Sequence, residues 1–83
     1  MTISEKVERS ILRLKAQPNA DKSYIKGAVN MAKVLLEQDP ETVNEYMDKT
    51  EKRLKAQPNT DPAYIKGAVN MIKRFKEMLE EDK

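Results

Sequence analysis

The chain of 83 residues contains no cysteine, no histidine and no tryptophan. Without cysteine or histidine it cannot form disulfides, the usual zinc sites, thiol nucleophiles or Ser-His-Asp triads. Glycine is scarce as well, with two residues, while 36% of the chain is charged and 39% is hydrophobic. This composition is typical of a helical protein. It predicts a protein that is not an enzyme and that holds no cofactor and no metal.

Long apolar runs are also absent. No stretch approaches the roughly 20 residues that a transmembrane helix needs, and residues 1–9 lack the apolar core of a signal peptide. We therefore expect a soluble, cytoplasmic protein with no membrane partner. A chain of this length is too short for two independent cores, so residues 1–83 are predicted to form a single domain.

The sequence contains an internal duplication. Residues 13–35 and 53–75 are offset by forty positions, and 17 of the 23 aligned residues are identical. The chain therefore divides into repeat unit one, residues 1–39, and repeat unit two, residues 40–83. A repeat of this length indicates that each unit is one supersecondary structure.

Each unit is predicted to be a helical hairpin, with helices near 3–16 and 21–38 in the first and near 40–57 and 61–80 in the second. Thr2 and Thr42 each begin a capping-box pattern, and Asp39-Pro40 offers a rival start for the third helix. The motif Gln-Pro-Asn at 17–19 and 57–59 ends the first helix of each unit. Asp21 and Asp61 are natural caps for the second.

The second and fourth predicted helices carry the widest apolar faces, so we place them at the centre with the other two flanking them. Their main stripes are Tyr24, Ala28, Met31 and Leu35, and Tyr64, Ala68, Met71 and Phe75. The predicted fold class is all-α, a four-helix bundle made of two tandem helical hairpins.

Gly27 and Gly67 lie inside these central helices, where glycine is about 1 kcal/mol less favourable than alanine. Each follows a small residue by four positions, Ser23 or Ala63. The spacing favours close packing of another helix against each glycine. Close approach of an outside ligand is the alternative.

Lysines recur at helical spacing on the polar faces of the same two helices, with an asparagine between them. The candidate partner or nucleic-acid face consists of Lys26, Asn30, Lys33, Lys66, Asn70 and Lys73. Such faces can follow a phosphate backbone. The spacing favours the solvated side of an amphipathic helix, since the chain has no glycine-rich phosphate loop and no aromatic stacking platform.

The two units differ at positions that predict an asymmetric surface. Leu12 and Val34 are extra apolar residues of the first unit, and Tyr46 and Met78 are extra apolar residues of the second. These residues either close the bundle or form a homodimer interface.

The segment Tyr-Ile-Lys-Gly-Ala-Val-Asn-Met, at 24–31 and again at 64–71, resembles the central helices of small phage and prophage accessory proteins. The resemblance implies a regulator or inhibitor that occupies a surface of a host protein. The first hypothesis from sequence is therefore a non-catalytic helical module that binds a protein partner. Two alternatives stay open, a nucleic-acid-binding protein that uses the Lys/Asn faces and a structural homo-oligomer.

Overall fold

A computed structural model describes residues 2–18, 21–57 and 61–81 and contains four α-helices in that part of the chain. Their bounds are α1 Ile3–Ala16, α2 Lys22–Glu37, α3 Val43–Ala56 and α4 Pro62–Glu81. No strand occurs within these ranges. The described part of the chain is therefore all-helical with four helices, as the apolar spacing predicts. The predicted turns at 17–19 and 57–59 and both ends of the predicted domain extend outside the described residues.

Polar side chains begin three of the helices at the expected residues. At the start of α1, Thr2 Oγ1 accepts a hydrogen bond from the backbone N–H of Glu5 at 3.2 Å. Asp21 before α2 and Asp61 before α4 each accept from the N–H two residues later, at 2.8 and 2.9 Å. These bonds satisfy amide groups that have no partner inside their own helix.

The third helix begins later than the sequence predicts. It starts at Val43 instead of residue 40, and Thr42 makes no side-chain capping bond. Asp39 folds the preceding residues into a turn, because its Oδ1 accepts from the N–H of Glu41 at 2.9 Å and its carbonyl accepts from the N–H groups of Thr42 and Val43. An aspartate that bonds nearby backbone in this way competes with helix formation. Asp39 and Pro40 therefore belong to a turn that precedes the helix.

Helices α2 and α4 form the centre of the fold and run side by side in the same direction. Near their starts, the Ser23 hydroxyl of α2 hydrogen bonds to Asp61 at the beginning of α4. Further along, Ala32 and Leu35 of α2 share one buried core with Phe75 of α4. Helix α1 packs against both central helices, and α3 packs against α4.

The flanking helices run in the opposite direction to the central pair. Lys6, in the first turn of α1, pairs with Glu81 at the end of α4, with 3.5 Å between Nζ and Oε2. Asp48 of α3 pairs with Lys76 in the second half of α4 at 2.8 Å. As a result, α1 and α3 end at the same end of the molecule at which α2 and α4 begin.

Gly27 and Gly67 lie where the two central helices come close together, and both are buried. A Cβ atom on Gly27 would collide with the backbone carbonyl oxygen of Tyr64, and a Cβ atom on Gly67 would collide with that of Tyr24. A carbonyl within a helix cannot move away without moving its helix. At this separation, only glycine fits at the two positions.

The core draws on all four helices. Its largest fully buried side chains are Val7, Leu35, Met47 and Ile72, one from each helix. Among the apolar residues that differ between the two repeat units, Met78 is buried and Tyr46 packs against the core. Val34 is half-buried, whereas Leu12 is 66% exposed. Tyr46 and Met78 therefore help to close the bundle.

Two hydroxyl residues forty positions apart, Ser10 of α1 and Thr50 of α3, are both buried. The Arg74 Nε donates a hydrogen bond to Ser10 Oγ at 3.3 Å, whereas Thr50 Oγ1 is buried without a partner in the described structure. The residue forty positions before Arg74 is Val34, which has no side-chain donor. The buried hydroxyl is therefore hydrogen bonded at Ser10 and unpaired at the equivalent Thr50.

Replacing Thr50 with valine is expected to stabilise the protein by about 1 kcal/mol, because valine keeps the shape of threonine and removes an unpaired buried hydroxyl. The melting temperature should rise by roughly 4–8 °C, measured by circular dichroism. Ser10→Ala is the matched control. It should lower the melting temperature, because Arg74 loses its acceptor. A Thr50→Val protein that melts below the wild type would contradict this account of the site.

Candidate functional site

The packing of the helices separates charge along the molecule. We call residues 12–18, 21–27, 52–57 and 61–67 the basic end, because α1 and α3 end there and α2 and α4 begin there. The basic end contains eight basic residues, Arg13, Lys15, Lys22, Lys26, Lys52, Arg53, Lys55 and Lys66. Its two acidic residues are Asp21 and Asp61. The rest of the described chain carries seven basic and eleven acidic residues. The basic end therefore has an excess of positive charge, and the rest of the described chain has an excess of negative charge.

At the opposite end, an ion pair links α3 to α4. The hydrogen bond from the Lys76 ammonium at 2.8 Å, together with its charge, holds the pKa of the Asp48 carboxyl below its ordinary value of 3.8. The same hydrogen bond raises the pKa of Lys76 above 10.5. Because Asp48 is exposed, the pair contributes little to stability. It is part of the structural contact between the two helices.

Asp61 connects the two central helices at the basic end. The Ser23 hydroxyl donates to its carboxylate, and the Ala63 N–H donates to the same group at 2.9 Å. These two bonds, the Ser23 bond first, lower the pKa of Asp61 from its ordinary value of 3.8. The ionised carboxylate is therefore the form that holds the start of α4 against α2.

Because the folded pKa of Asp61 is depressed, its contribution to stability is present above the unfolded value of 3.8 and is lost as the pH falls through the lower folded value. We expect Ser23→Ala to lose less stability than the wild type over that acidic range, since the variant lacks the main cause of the shift. Urea midpoints measured from neutral pH down to acid test this expectation. If the urea midpoints of the two proteins fall equally as the pH is lowered, Ser23 does not perturb the pKa of Asp61.

The structure places the six candidate face residues in two separate patches. Lys26, Asn30 and Lys33 are exposed on α2, and Lys66, Asn70 and Lys73 are exposed on α4. A groove between α3 and α4 is lined by Lys66, Asn70 and Lys73, and none of Lys26, Asn30 and Lys33 lines it.

The two asparagines of these patches bridge the central helices. Asn30 Nδ2 donates to the Tyr64 hydroxyl at 3.0 Å, and Asn70 Nδ2 donates to the Tyr24 hydroxyl at 2.7 Å. The backbone of the same tyrosines lies against the glycines, with the Tyr64 carbonyl at Gly27 and the Tyr24 carbonyl at Gly67. One amide N–H of each asparagine is therefore engaged in structure.

A groove of about 500 Å³ lies between α3 and α4. We call it the α3–α4 groove. Its apolar lining consists of Leu54, Pro62, Ile65 and Val69. Its polar lining consists of Lys55, Gln57, Lys66, Asn70 and Lys73. Three lysines thus border an apolar surface, and the described lining contains no carboxylate.

Only part of this groove follows from the sequence pattern. Lys66, Asn70 and Lys73 are candidate residues already, but the contribution of Leu54, Lys55 and Pro62 depends on how α3 packs against α4. Leu54 and Ile65 belong to apolar stripes that predict core positions, yet both are only half-buried. Leu54 packs against the core and still contributes to the groove lining.

Comparison with family models, with curated proteins and with solved structures gave no significant match to the chain. Within residues 2–18, 21–57 and 61–81, no helix has the length and apolar character needed to cross a membrane. The same residues contain no cluster of three or more carboxylates placed to hold a metal ion.

Proposed function

We propose that this protein is a non-catalytic binding module that holds an acidic, amphipathic helical segment of a partner protein in the α3–α4 groove. In this proposal the module acts as a regulator or inhibitor by occupying the surface of its partner. The observation that supports this proposal is the lining of the α3–α4 groove. Its described residues combine an apolar surface with a border of lysines and include no carboxylate.

The chemistry of the groove supports an acidic helix as its occupant. Ile65 and Leu54 offer apolar contact to one stripe of a helix, as in other helix-in-groove interfaces. Lys55 and Lys66 lie beside them and pair with carboxylates on the flanks of such a helix. The surrounding basic end adds long-range attraction for an acidic segment, which raises its rate of association.

The test uses a labelled synthetic helical peptide with leucines on one face and glutamates on both flanks, followed by fluorescence anisotropy. We expect saturable binding that Lys66→Glu weakens by about tenfold or more. Lys26→Glu is the matched control, because Lys26 occupies the equivalent position of the first unit and does not line the groove. It should change affinity by less than about twofold, apart from general charge effects.

The proposal fails if the acidic peptide does not bind at low salt, or if Lys26→Glu and Lys66→Glu weaken binding equally. A second variant, Ile65→Asn, separates the apolar contact from charge. It should weaken peptide binding while leaving the salt dependence of the remaining affinity unchanged, because it removes no charge.

Nucleic-acid binding stays as the second candidate, favoured by the excess of lysine and arginine at the basic end. Its candidate surfaces are the exposed Lys/Asn patches of α2 and α4. A titration with short DNA and RNA across a range of salt, with Lys26→Glu/Lys66→Glu as the control protein, tests it. Steeply salt-dependent binding that the double variant loses would favour it over the peptide-binding proposal.

A structural homo-oligomer is the third candidate. The basic end and the acidic remainder of the molecule are complementary, which favours head-to-tail contact between copies. A molecular mass that rises with protein concentration at low salt, and falls back at high salt, is its signature in sedimentation.

We further propose that the fold consists of two tandem helical hairpins that arose by internal duplication. Its support is the reciprocity of the contacts. Gly27 lies against Tyr64 as Gly67 lies against Tyr24, and the Asn30 and Asn70 bonds are related in the same way.

A further inference from the structure

We infer that a second groove, between α1 and α4, is a binding site for a small anion that carries two or more phosphate groups. This α1–α4 groove has a volume of about 560 Å³, within the range of ligand pockets. Arg13, Leu14 and Arg74 line this groove and do not line the α3–α4 groove, whereas Asn70 and Lys73 line both.

Three cationic side chains line the α1–α4 groove. Arg13 comes from α1, while Lys73 and Arg74 come from α4, and the single carboxylate in the lining is Glu77. The balance of charge in the groove is therefore positive. Arginine is the residue that best recognises phosphate, because its planar fork donates two parallel hydrogen bonds.

The position of Arg74 is fixed by a neighbour. Its Nε donates to Ser10 Oγ at 3.3 Å, and Ser10 is 7% exposed. This bond does not use the terminal guanidinium nitrogens, which are the groups that would contact an anion. A side chain held in place before binding loses less entropy when a ligand arrives.

A neutral donor adds to the cations. Tyr24 lines the groove, and its hydroxyl oxygen accepts the 2.7 Å bond from Asn70. Because the oxygen acts as an acceptor in that bond, the hydroxyl proton is available to donate to a ligand. Leu14, Ala28 and Met71 form the apolar part of the lining.

The first repeat unit lacks the critical arginine. Val34 stands at the position equivalent to Arg74, and Thr50, equivalent to Ser10, has a buried hydroxyl without a partner. The other groove residues keep their identity forty positions away, with Arg53 for Arg13 and Lys33 for Lys73. The anion site is therefore specific to the α1–α4 side. The equivalent residues of the other repeat unit, such as Arg53 for Arg13, provide matched control variants.

The volume and the spread of cations indicate the class of ligand. A single phosphate ion occupies only a small part of about 560 Å³, whereas a diphosphate or triphosphate fills more of it and offers a separate phosphate group to Arg13 of α1 and to Arg74 of α4. We therefore name pyrophosphate and tripolyphosphate as probes. The ligand source is either a free polyphosphate or a nucleotide that carries the same group.

The experiment is isothermal titration calorimetry of the whole chain with pyrophosphate and tripolyphosphate at low ionic strength. We expect saturable binding of one equivalent, weakened by about tenfold or more in Arg74→Val, which introduces the residue of the first unit. Arg13→Ala should weaken it to a similar extent. Arg53→Ala, the equivalent change on α3, should alter affinity by less than about twofold.

Absence of saturable binding would overturn the inference, and so would equal loss in Arg53→Ala and Arg13→Ala, because general attraction to basic residues would then explain the data. Circular dichroism verifies that each variant is folded. If Arg74→Val is unfolded, Arg74→Lys replaces it. That variant keeps the charge without the planar fork, and it should still weaken pyrophosphate binding.

Parallel titrations with ADP and ATP identify the source of the phosphate. Tighter binding of ATP than of tripolyphosphate indicates a nucleotide whose base contacts Leu14 and Met71, and equal affinities indicate the polyphosphate alone. Both results support the site. Ile65→Asn, which removes an apolar contact of the α3–α4 groove, should leave pyrophosphate binding intact, so the two proposals fail independently.

Discussion

Replacing Gly67 with alanine is expected to lower the free energy of unfolding by about 3 kcal/mol, a large effect for a methyl group. The added Cβ atom would collide with the carbonyl oxygen of Tyr24, which is part of the backbone of α2. To relieve the collision, α2 and α4 must move apart along their shared core. Alanine is intrinsically about 1 kcal/mol better than glycine inside a helix, so the collision must outweigh that gain.

Thermal and urea unfolding measure this effect, and a loss of about 3 kcal/mol corresponds to roughly 12–24 °C in melting temperature. Gly27→Ala should behave in the same way, because it meets the carbonyl of Tyr64. The two changes should be less than additive, since a shift that relieves one collision also relieves the other. Lys66→Ala, at the exposed neighbouring position, is the control and should stay within about 0.5 kcal/mol. A stabilised Gly67→Ala protein would show that the helices are further apart.

Replacing Leu35 with alanine is expected to destabilise the protein by about 2–5 kcal/mol. Leu35 is 1% exposed and belongs to the core that all four helices share. The loss combines the transfer energy of the removed atoms with the cavity that remains, because the neighbouring helices can relax only partly. A small domain of this size has little stability in reserve, so the variant is expected to be partly unfolded at 37 °C.

Leu36→Ala is the matched control, because it removes the same atoms from the next residue along the helix. Leu36 is 38% exposed and does not belong to the buried core, so its truncation should lower stability by less than about 1 kcal/mol. Urea midpoints compare the two variants directly. Similar losses for Leu35→Ala and Leu36→Ala would contradict the direction in which α2 faces the core.

Part of the candidate sites could be anticipated from sequence. The spacing of Lys66, Asn70 and Lys73 predicts one shared helix face, and all three line the α3–α4 groove. The pattern could not show that Lys26 and Lys33 lie outside this groove. Nor could it show the role of Arg74, whose importance depends on Ser10, a residue 64 positions away in the chain.

The sequence by itself determined the four helices, because helix formation depends on local features such as apolar spacing, capping aspartates and prolines. It also determined the repeat, which is a matter of identity between residues. The late start of α3 was the exception, because the side chain of Asp39 binds the backbone of the residues that follow it.

Only the tertiary structure decided which surfaces come together. Helical periodicity assigns a residue to one face of its own helix, but the direction of that face depends on how distant helices pack. The parallel course of α2 and α4 collected basic charge at one end. The packing of α1 against α4 placed Arg13 and Arg74 in one groove, whereas Val34 stands at the position equivalent to Arg74. Two segments that match at 17 of 23 positions therefore have different surroundings.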